Sequence, residues 1–315
     1  MTVQAPSHVV MIRPNRFRPN PETEADNRFQ SRPALAAEDV AQNAASEFDA
    51  AVARLRAEGV GVGVHVFQDE RDDTPDAVFP NNWFSTHPGG HIAVYPMFVP
   101  SRRRERRADV LEMLKNEYRV QVVTDYSGLE QDGLALEGTG AMVIDHIGRI
   151  AYVARSHRAD PILLERFCTN FGYEPMVFDA IDEDGAPVYH TNVIMTIGTH
   201  FAMVSLDMIE NASRRAEIAE RLAEPGRDII DLSHHQIAEF AGNAIELSTP
   251  TGLMVAMSSR ALAALDGSQI ALIERSARIV PLDIPTIESA GGSVRCMIAG
   301  LHLAKRNSNP EKAPK

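Results

Sequence analysis

The sequence has little cysteine and no long apolar run, and each of these absences excludes a class of protein. Only two cysteines, Cys168 and Cys296, occur in 315 residues, so the chain has neither a disulfide framework nor the ligand spacing of a zinc site. No stretch approaches the ~18 consecutive apolar residues of a membrane span. The first residues do not combine a basic segment with an apolar one, so we expect no secretion signal, no membrane partner and a cytoplasmic location.

Basic residues are also in the minority. Lysine and arginine number 31 against 43 aspartates and glutamates, which gives a formal net charge of −12. Such a chain repels phosphate backbones unless one face is locally basic. One basic run precedes the helical pattern at 108–115, and it consists of Arg102, Arg103, Arg104, Arg106 and Arg107. Because the run lacks interleaved aromatic residues, we expect a solvated helix face and no nucleic-acid partner.

What the sequence does contain is a repeated order of patterns: strand, strand, amphipathic helix, strand. First strands are predicted to start near residues 82, 140, 193, 243 and 294, at intervals of 50 to 58 residues. The first strand of the fifth module is predicted at 293–298, and the other elements of this module lie at the beginning of the chain. They are a strand at 8–13, a helix at 36–57 and a strand at 62–67. In the other four modules the second strands are predicted at 91–95, 149–154, 201–205 and 252–257, and the helices at about 101–117, 159–171, 211–223 and 259–277. The third strand of the first of these modules is predicted at 118–123.

Repetition at this period indicates stacked or radial modules. Five modules joined at the chain ends predict an α/β fold, in which five ββαβ blades form a closed propeller without exposed sheet edges. The prediction is therefore a single domain, 1–307. The polar, proline-containing end, 308–315, is predicted to be a flexible tail.

Chemically capable side chains stand at the entrance of every predicted first strand. These entrances hold Asn81 and Asn82, Glu137, His190 and Asn192, Asn243, and Cys296. In a ring of equivalent modules the same position of each module points to the same central space. A thiol, an imidazole and a carboxylate are therefore expected to meet there, although they are far apart in the sequence.

Cys296 is the predicted nucleophile of this set, with His190 as the group that stabilises its thiolate. Arg295 is adjacent, but alternation along a strand would turn its side chain to the opposite side. By its local sequence alone Cys296 is typical of a small buried apolar residue, and it is the convergence of the modules that favours the nucleophile. Cys168 has the core-facing spacing of a helix and is interpreted as structural.

Histidine pairs that could suggest a metal site lack the other ligands. His87 and His91 flank a Pro-Gly-Gly turn, and His234 and His235 open a predicted short helix. Neither pair has a cysteine or carboxylate at ligand spacing. No metal site is predicted.

Four motifs together resemble the guanidine-modifying enzymes of the pentein, or α/β-propeller, superfamily. This group includes arginine deiminases, dimethylarginine dimethylaminohydrolases and glycine amidinotransferases. The motifs are Phe-Pro-Asn-Asn-Trp (79–83), Leu-Glu-Gly-Thr-Gly (136–140), His-Thr-Asn (190–192) and Gly-Gly-Ser-Val-Arg-Cys (291–296). The segments at 11–14, 20–23 and 27–30 look closest to the amidinotransferase-like branch called citrulline utilisation hydrolase.

The resemblance implies a role for each matching residue. Cys296 would be the nucleophile, His190 the general acid and base, and Glu137 a carboxylate that holds a substrate nitrogen and orients the histidine. The resemblance also implies a group of substrate-binding residues: Phe79, Asn81, Asn82, Asn192 and Asn243.

Two departures from the arginine deiminase pattern bear on the substrate. Arginine deiminases have aspartates where this chain has Asn82 and Asn192, and both contact the cationic guanidinium. Amides lack that charge but can donate and accept hydrogen bonds, which suits a neutral ureido group. Citrulline is therefore the expected substrate.

The expected reaction is hydrolysis of citrulline to ornithine, ammonia and carbon dioxide through a covalent thioester on Cys296. It needs no metal and no organic cofactor, because side chains supply both the nucleophile and the acid and base. The alternatives are an arginine deiminase or dimethylarginine hydrolase activity, an amidinotransferase, and a binding protein of the same fold without catalysis. A small amino acid is the predicted partner, and a homodimer is left open.

Overall fold

The structure is a computed structural model that describes residues 3–60 and 63–306. Its strands in chain order are β1 (Val9–Arg13), β2 (Val64–Gln68), β3 (Phe84–His87), β4 (His91–Val94), β5 (Val122–Asp125), β6 (Val143–Asp145), β7 (Ile150–Ala154), β8 (Glu174–Phe178), β9 (Met195–Ile197), β10 (Phe201–Val204), β11 (Asp228–Asp231), β12 (Ile245–Thr249), β13 (Gly252–Ser258), β14 (Ala277–Leu282) and β15 (Ala299–Gly300). Its α-helices are α1 (Ala37–Leu55), α2 (Pro100–Arg103), α3 (Ala108–Glu117), α4 (Gly138–Ala141), α5 (Pro161–Phe171), α6 (Ala212–Ala223), α7 (His234–Ala238), α8 (Ser259–Ala264), α9 (Gly267–Glu274), α10 (Pro285–Glu288) and α11 (Val294–Met297).

The strands form five three-stranded sheets of mixed direction. In every sheet the first strand is antiparallel to the second, and the second is parallel to the third. The strand orders are β15-β1-β2, β3-β4-β5, β6-β7-β8, β9-β10-β11 and β12-β13-β14. A parallel pair requires a crossover connection, and helices supply it between the second and third strands. The predicted α/β class and the order of elements in each module are confirmed.

The two ends of the described chain share one sheet. Strand β15 pairs with β1, with Val9 opposite Gly300 and Val10 opposite Ala299. Strand β1 runs parallel to β2 on its other side. The prediction that the last first strand finds its companions at the beginning of the chain is confirmed.

Helix α5 shows how the sequence sets the bounds of an element. The Asp160 side chain accepts hydrogen bonds from the backbone N–H groups of Ile162 and Leu163, and Pro161 occupies the first helical position. Such a cap satisfies donors that have no partner inside the helix. The helix stops at Gly172, whose φ of 67° is left-handed and favours glycine. The sequence prediction of a helix near 159–171 is therefore close to the observed one.

The first strands begin later than predicted, because a single helical turn precedes most of them. These turns are Pro80–Asn82, Gly138–Ala141, Thr191–Val193 and Val294–Met297. Cys296 thus lies on α11 and not on a strand, and the argument from strand alternation about Arg295 was wrong. A turn of three or four residues is too short to show the helical spacing of apolar residues by which a helix is recognised in a sequence.

Two further predictions need correction or fall outside the structure. The helix predicted at about 101–117 is broken into α2 and α3, and the strand after it is β5 at Val122–Asp125 instead of 118–123. The predicted tail at 308–315 lies outside the described residues. Within the described ranges, no helix combines the length and apolarity needed to cross a bilayer.

Candidate active site

The helical turns before the first strands bring the predicted site residues into one buried region. Asn82 ends the turn before β3, and Glu137 and His190 stand immediately before the next two turns. Cys296 lies within α11. All four residues are at most 3 % exposed, so they meet in the interior of the protein and not on its surface.

A small cavity of about 20 Å³ connects several of these residues. Phe79, Asn82, His190 and Cys296 are part of its wall. The remaining wall residues were not predicted: Thr23, Asn27, Asp76, Arg102, Arg158, Tyr189, Ala290 and Gly292. A thiol and an imidazole therefore share one cavity, as a nucleophile and its acid and base require.

Two glycines are needed for the close packing of this cavity. A Cβ atom at Gly140 would lie 2.9 Å from His190 Nδ1. A Cβ atom at Gly292 would lie 2.9 Å from the Phe79 ring and 3.2 Å from Cys296 Cβ. Any side chain at either position would displace the imidazole or the ring. Steric crowding therefore explains why both motif positions are glycine.

Two amides hold the sulfur of Cys296. Asn192 donates from Nδ2 to Sγ over 3.2 Å, and Asn243 donates from Nδ2 over 3.3 Å. Asn243 Oδ1 in turn accepts the backbone N–H of Arg295 at 3.1 Å, which ties the amide to α11. Both amides thus direct an N–H donor at the sulfur and hold Cys296 in position.

His190 is oriented by Glu137. The distance between His190 Nε2 and Glu137 Oε2 is 2.9 Å, and since an ionised carboxylate only accepts, Nε2 carries the proton. Nδ1 is then the free acceptor, 3.5 Å from Asn82 Nδ2. Burial lowers the pKa of His190 to about 4, helped by the charges of Arg158 and Arg102 and opposed by Glu137. The imidazole is therefore neutral at pH 7, with Nδ1 available as a base.

Glu137 is fully buried but ionised. Burial raises its pKa, but Arg158, the hydrogen bond with His190 and Arg102 outweigh burial and hold the pKa below its usual range. Its Oε1 accepts the backbone N–H of Phe98 at 3.0 Å. Glu137 lies behind His190, outside the group of described residues that line the cavity.

Arg102 corrects the interpretation of the basic run. This side chain is buried, whereas we expected a solvated face. Its Nη2 donates to Asn82 Oδ1 at 3.2 Å and to Glu105 at 3.0 Å, and Nη1 lies 3.6 Å from Glu137. The break between α2 and α3 turns Arg102 inward, and no spacing in the sequence signals that break.

Arg158 and Asp76 are further wall residues that the sequence did not reveal. Arg158 forms a bidentate pair with Asp26 and approaches Glu137 at 3.3 Å. Asp76 Oδ2 accepts from Asn20 Nδ2 at 2.8 Å. Burial raises the pKa of Asp76, against the lowering by Arg102 and Asn20. Both residues belong to loops without periodicity, so only their fold position identifies them.

The remaining predicted residues lie outside this cavity. Asn81 is fully buried next to Asn82, and its side-chain atoms have no hydrogen-bond partner among the described residues. Cys168 is buried in α5, and burial raises the pKa of its thiol to about 12. In the described ranges, no group of three or more histidine, cysteine or acidic side chains could hold a metal ion.

Solved structures share this fold at low sequence identity. ArgZ, an arginine dihydrolase of the ornithine-ammonia cycle in cyanobacteria, has an N-terminal domain that superimposes with a TM-score of 0.72 at 16% identity. The match covers 93% of this chain and 97% of that domain. AgrE, as a mutant complex with L-arginine, gives 0.73 at 14% identity over 96% of this chain and 41% of its own. A dimethylarginine dimethylaminohydrolase, in an adduct with S-methyl-L-thiocitrulline, gives 0.60 at 14% identity over 96% and 100%.

The sequence itself matches a family over nearly its whole length. No curated protein matches the chain by sequence. The family model described as N,N dimethylarginine dimethylhydrolase, eukaryotic, matches residues 13–303. The chain is therefore an enzyme of the N,N dimethylarginine dimethylhydrolase family, a hydrolase of C–N bonds within the guanidine-modifying pentein superfamily.

Proposed function

We propose that this enzyme hydrolyses the ureido group of citrulline, giving ornithine, ammonia and carbon dioxide. The observation that carries the proposal is the amide environment of the sulfur, where Asn192 and Asn243 donate to Cys296 Sγ. A third amide, Asn82, faces His190 Nδ1. Neutral amides can pair with both the oxygen and the N–H groups of a neutral ureido group, but they offer no charge to a guanidinium.

The first half of the reaction forms a thioester. Cys296 attacks the ureido carbon and its proton passes to His190 Nδ1, the nitrogen that the Glu137 hydrogen bond leaves free. His190 then protonates the leaving nitrogen, and the C–N bond breaks. Glu137 stabilises the imidazolium that exists between these two transfers, so its role in the proposal is to position and charge-balance His190.

The second half restores the enzyme. Once His190 is neutral again it removes a proton from water, the hydroxyl attacks the thioester carbon, and the sulfur leaves as the thiolate. When the side-chain nitrogen of ornithine leaves in the first half, the second half releases carbamate, which decomposes to carbon dioxide and ammonia. When ammonia leaves first, the second half releases N-carboxyornithine, which loses carbon dioxide. Citrulline plus one water thereby yields ornithine, ammonia and carbon dioxide, with atoms balanced and no cofactor consumed.

Charged side chains of the cavity wall suit the rest of an amino acid. Arg102 and Arg158 present guanidinium groups to the cavity, and Asp76 presents a carboxylate. We infer that the arginines face the α-carboxylate of the substrate and Asp76 its ammonium. Each of these groups is already held by a partner of opposite charge, so little reorganisation is needed on binding.

Arginine is the second candidate substrate, and Asp76 favours it. A buried carboxylate in the wall could pair with a guanidinium in place of an ammonium. ArgZ, which shares the fold, is an arginine dihydrolase. In this version the enzyme would hydrolyse arginine twice, with two waters consumed, and release ornithine, two ammonia molecules and carbon dioxide. Methylated arginine is the corresponding candidate from the matched family.

A substrate panel decides between these candidates. Citrulline, arginine and dimethylarginine are each incubated with the enzyme, and ornithine, citrulline and ammonia are followed with time. One ammonia per ornithine, formed from citrulline far faster than from arginine, supports the proposal. Comparable kcat/KM values for arginine and citrulline contradict it and favour the arginine dihydrolase. Citrulline that accumulates from arginine would identify a deiminase.

We also propose that the five sheets are the blades of one closed α/β-propeller domain, 1–307. Contacts between neighbouring modules support this arrangement. Strand β3 contacts β15 and α4, β6 contacts β9, and β9 contacts β12. Helix α11 contacts β13, which links the last module to the one before it. A solution scattering curve of a compact particle without a second lobe would agree with this proposal, and two separable domains on limited proteolysis would contradict it.

A further inference from the structure

A second cavity lies on the other side of the turn that carries Cys296. It measures about 60 Å³, against about 20 Å³ for the active-site cavity. First strands of all five sheets contribute to its wall: β3, β6, β9, β12 and β15. We call it the first-strand cavity. Arg295, the neighbour of the catalytic cysteine, also lines it.

Arg295 brings an uncompensated positive charge to this cavity. Its guanidinium donates from Nη1 to the carbonyl of Ile298 at 3.0 Å. In the described part of the chain no carboxylate lies within 4.0 Å of it. By contrast, Arg102 and Arg158 in the active site are both paired with carboxylates. Burial lowers the pKa of Arg295 to about 10, and the neighbouring Cys296 opposes that lowering.

Histidines form the opposite part of the wall. The rings of His146 and His302 stack with centroids 3.8 Å apart. Tyr173 bonds the Nδ1 atoms of both His87 and His146, at 3.2 and 3.0 Å. His302 Nδ1, however, has no partner among the described residues. Burial and the charge of Arg295 lower the pKa of His302 to about 4, so its imidazole is neutral at pH 7.

Glu246 is the one carboxylate among the described wall residues, and it does not neutralise Arg295. Its Oε2 accepts the backbone N–H and the hydroxyl of Thr199. Burial raises the pKa of Glu246, against those hydrogen bonds. Its Oε1 has no partner among the described residues. The two ends of the cavity therefore differ, with the positive end at Arg295.

We propose that the first-strand cavity binds a small monovalent anion, such as chloride or a short carboxylate, between Arg295 and His302. The anion supplies the missing counter-charge of the guanidinium, and the Nδ1–H tautomer of neutral His302 donates to it. A single water needs roughly 10–15 Å³ of such space. A cavity of about 60 Å³ therefore has room for a small anion and a few waters.

The bound anion would restrain α11, the turn that carries Cys296, from the side opposite the active-site cavity. The backbone N–H of Arg295 is held by Asn243, and the same amide donates to Cys296 Sγ. An anion that fixes the Arg295 side chain thus restrains α11, the element that carries the nucleophile. This site binds an ion and is separate from the cavity in which the substrate reacts.

Thermal unfolding at pH 7 tests the proposal with chloride as the probe. Sodium gluconate at equal ionic strength serves as the control salt, because gluconate is too large for the cavity. We expect chloride at about ten times its Kd to raise Tm by roughly 2 °C over gluconate. Sodium formate should give a similar rise if short carboxylates also bind. Equal Tm values in all three salts would overturn the proposal.

Two variants assign the effect to the site. Arg295→Gln should lose the chloride-dependent rise, whereas Arg275→Gln, an exposed arginine paired with Asp228, should keep it. If Arg295→Gln does not fold, His302→Gln should reduce the rise instead. If the folded Arg295→Gln protein keeps the full chloride-dependent rise in Tm, the proposal is overturned. When only His302→Gln folds, a full rise in that variant overturns it. In crystals soaked with bromide, an anomalous peak between Arg295 and His302 supports the site, and peaks confined to the protein surface contradict it.

Discussion

The two sides of α11 face two cavities, and the buried arginines of these cavities differ in whether a carboxylate pairs with them. On the Cys296 side, Arg102 and Arg158 are paired with carboxylates, and the groups that touch the sulfur are neutral amides. On the other side, Arg295 lacks a carboxylate among the described residues. Paired charges hold their positions during a reaction and cost no reorganisation. An unpaired buried guanidinium is stabilised when an anion binds to it. We therefore propose that this one turn serves catalysis on its Cys296 face and ion binding on its Arg295 face.

The largest expected effect is the loss of turnover when the sulfur on the Cys296 side of α11 is removed. Cys296→Ser should lower kcat by at least ~10³-fold, because a hydroxyl is a far weaker nucleophile than a thiolate. Cys168→Ser provides the matched control, since this thiol is buried in α5 away from the cavity. It should keep kcat within about twofold and lower stability by about 1–3 kcal/mol. Steady-state kinetics and thermal unfolding of both variants check this prediction, and near-normal turnover in Cys296→Ser would sink the covalent mechanism.

Arg102→Gln should produce the largest loss of stability. This change leaves Glu105 and Asp76 buried without their cation, which costs about 3–5 kcal/mol. Its neighbour Arg103 is a matched control, because its side chain is 34% exposed and its ion pair with Glu130 is long, at 3.8 Å. Arg103→Gln should cost less than about 1 kcal/mol. Chemical denaturation measures both, and equal losses would mean that Arg102 is not the centre of the buried cluster.

Exchanging amides for carboxylates sharpens the contrast in charge. The double variant Asn82→Asp, Asn192→Asp should lower kcat/KM for citrulline by roughly 10²-fold, since a carboxylate cannot donate to the ureido oxygen and repels it. Its kcat/KM for arginine should rise. Asn116→Asp, on the exposed face of α3, adds one negative charge without entering the site and should change neither value. An unchanged ratio between the two substrates in the double variant would contradict recognition by amides.

The smallest effect concerns pH. With the pKa of His190 lowered to about 4, its base form is fully present at pH 7 and is lost only as the pH falls through about 4. The profile of kcat/KM should therefore stay flat between about pH 7 and 5. The same shift makes protonation unfavourable to folding, so the contribution of His190 to stability is complete above the ordinary histidine pKa of about 6.5. It is lost as the pH falls towards 4. An acid limb centred near pH 6.5 would show that His190 titrates normally.

Much of the fold was predictable because each module repeats its pattern. Alternating and β-branched runs predicted β1, β7, β10 and β13 to within two residues, and capped amphipathic runs predicted α5 and α6. The single helical turns before the first strands escaped detection. They are held by tertiary contacts at the convergence of the sheets, and three or four residues are too few for helix formation on their own.

The candidate site was predictable only for residues at equivalent module positions. Asn82, His190 and Cys296 stand at such positions, and the structure brings them to one cavity wall. Asp76, Arg102 and Arg158 have no such positions. Arg102 carried a misleading signal, because a cation in an arginine-rich run is normally solvated. It is buried here since Glu105, Asp76 and Glu137, which come from different parts of the chain, compensate its charge.

The sequence by itself determined the module order, the meeting of the chain ends and the types of chemical groups available at the site. Each depends on local patterns or on spacing, which a linear sequence carries directly. Tertiary structure alone decided which charges are paired, that Glu137 stands behind His190, and that Arg295 faces a different cavity from Cys296. Those properties depend on distances of a few ångströms between residues that lie far apart in the sequence, such as Arg158 and Asp26, which are 132 positions apart. Burial and ion pairing are set by neighbours in space.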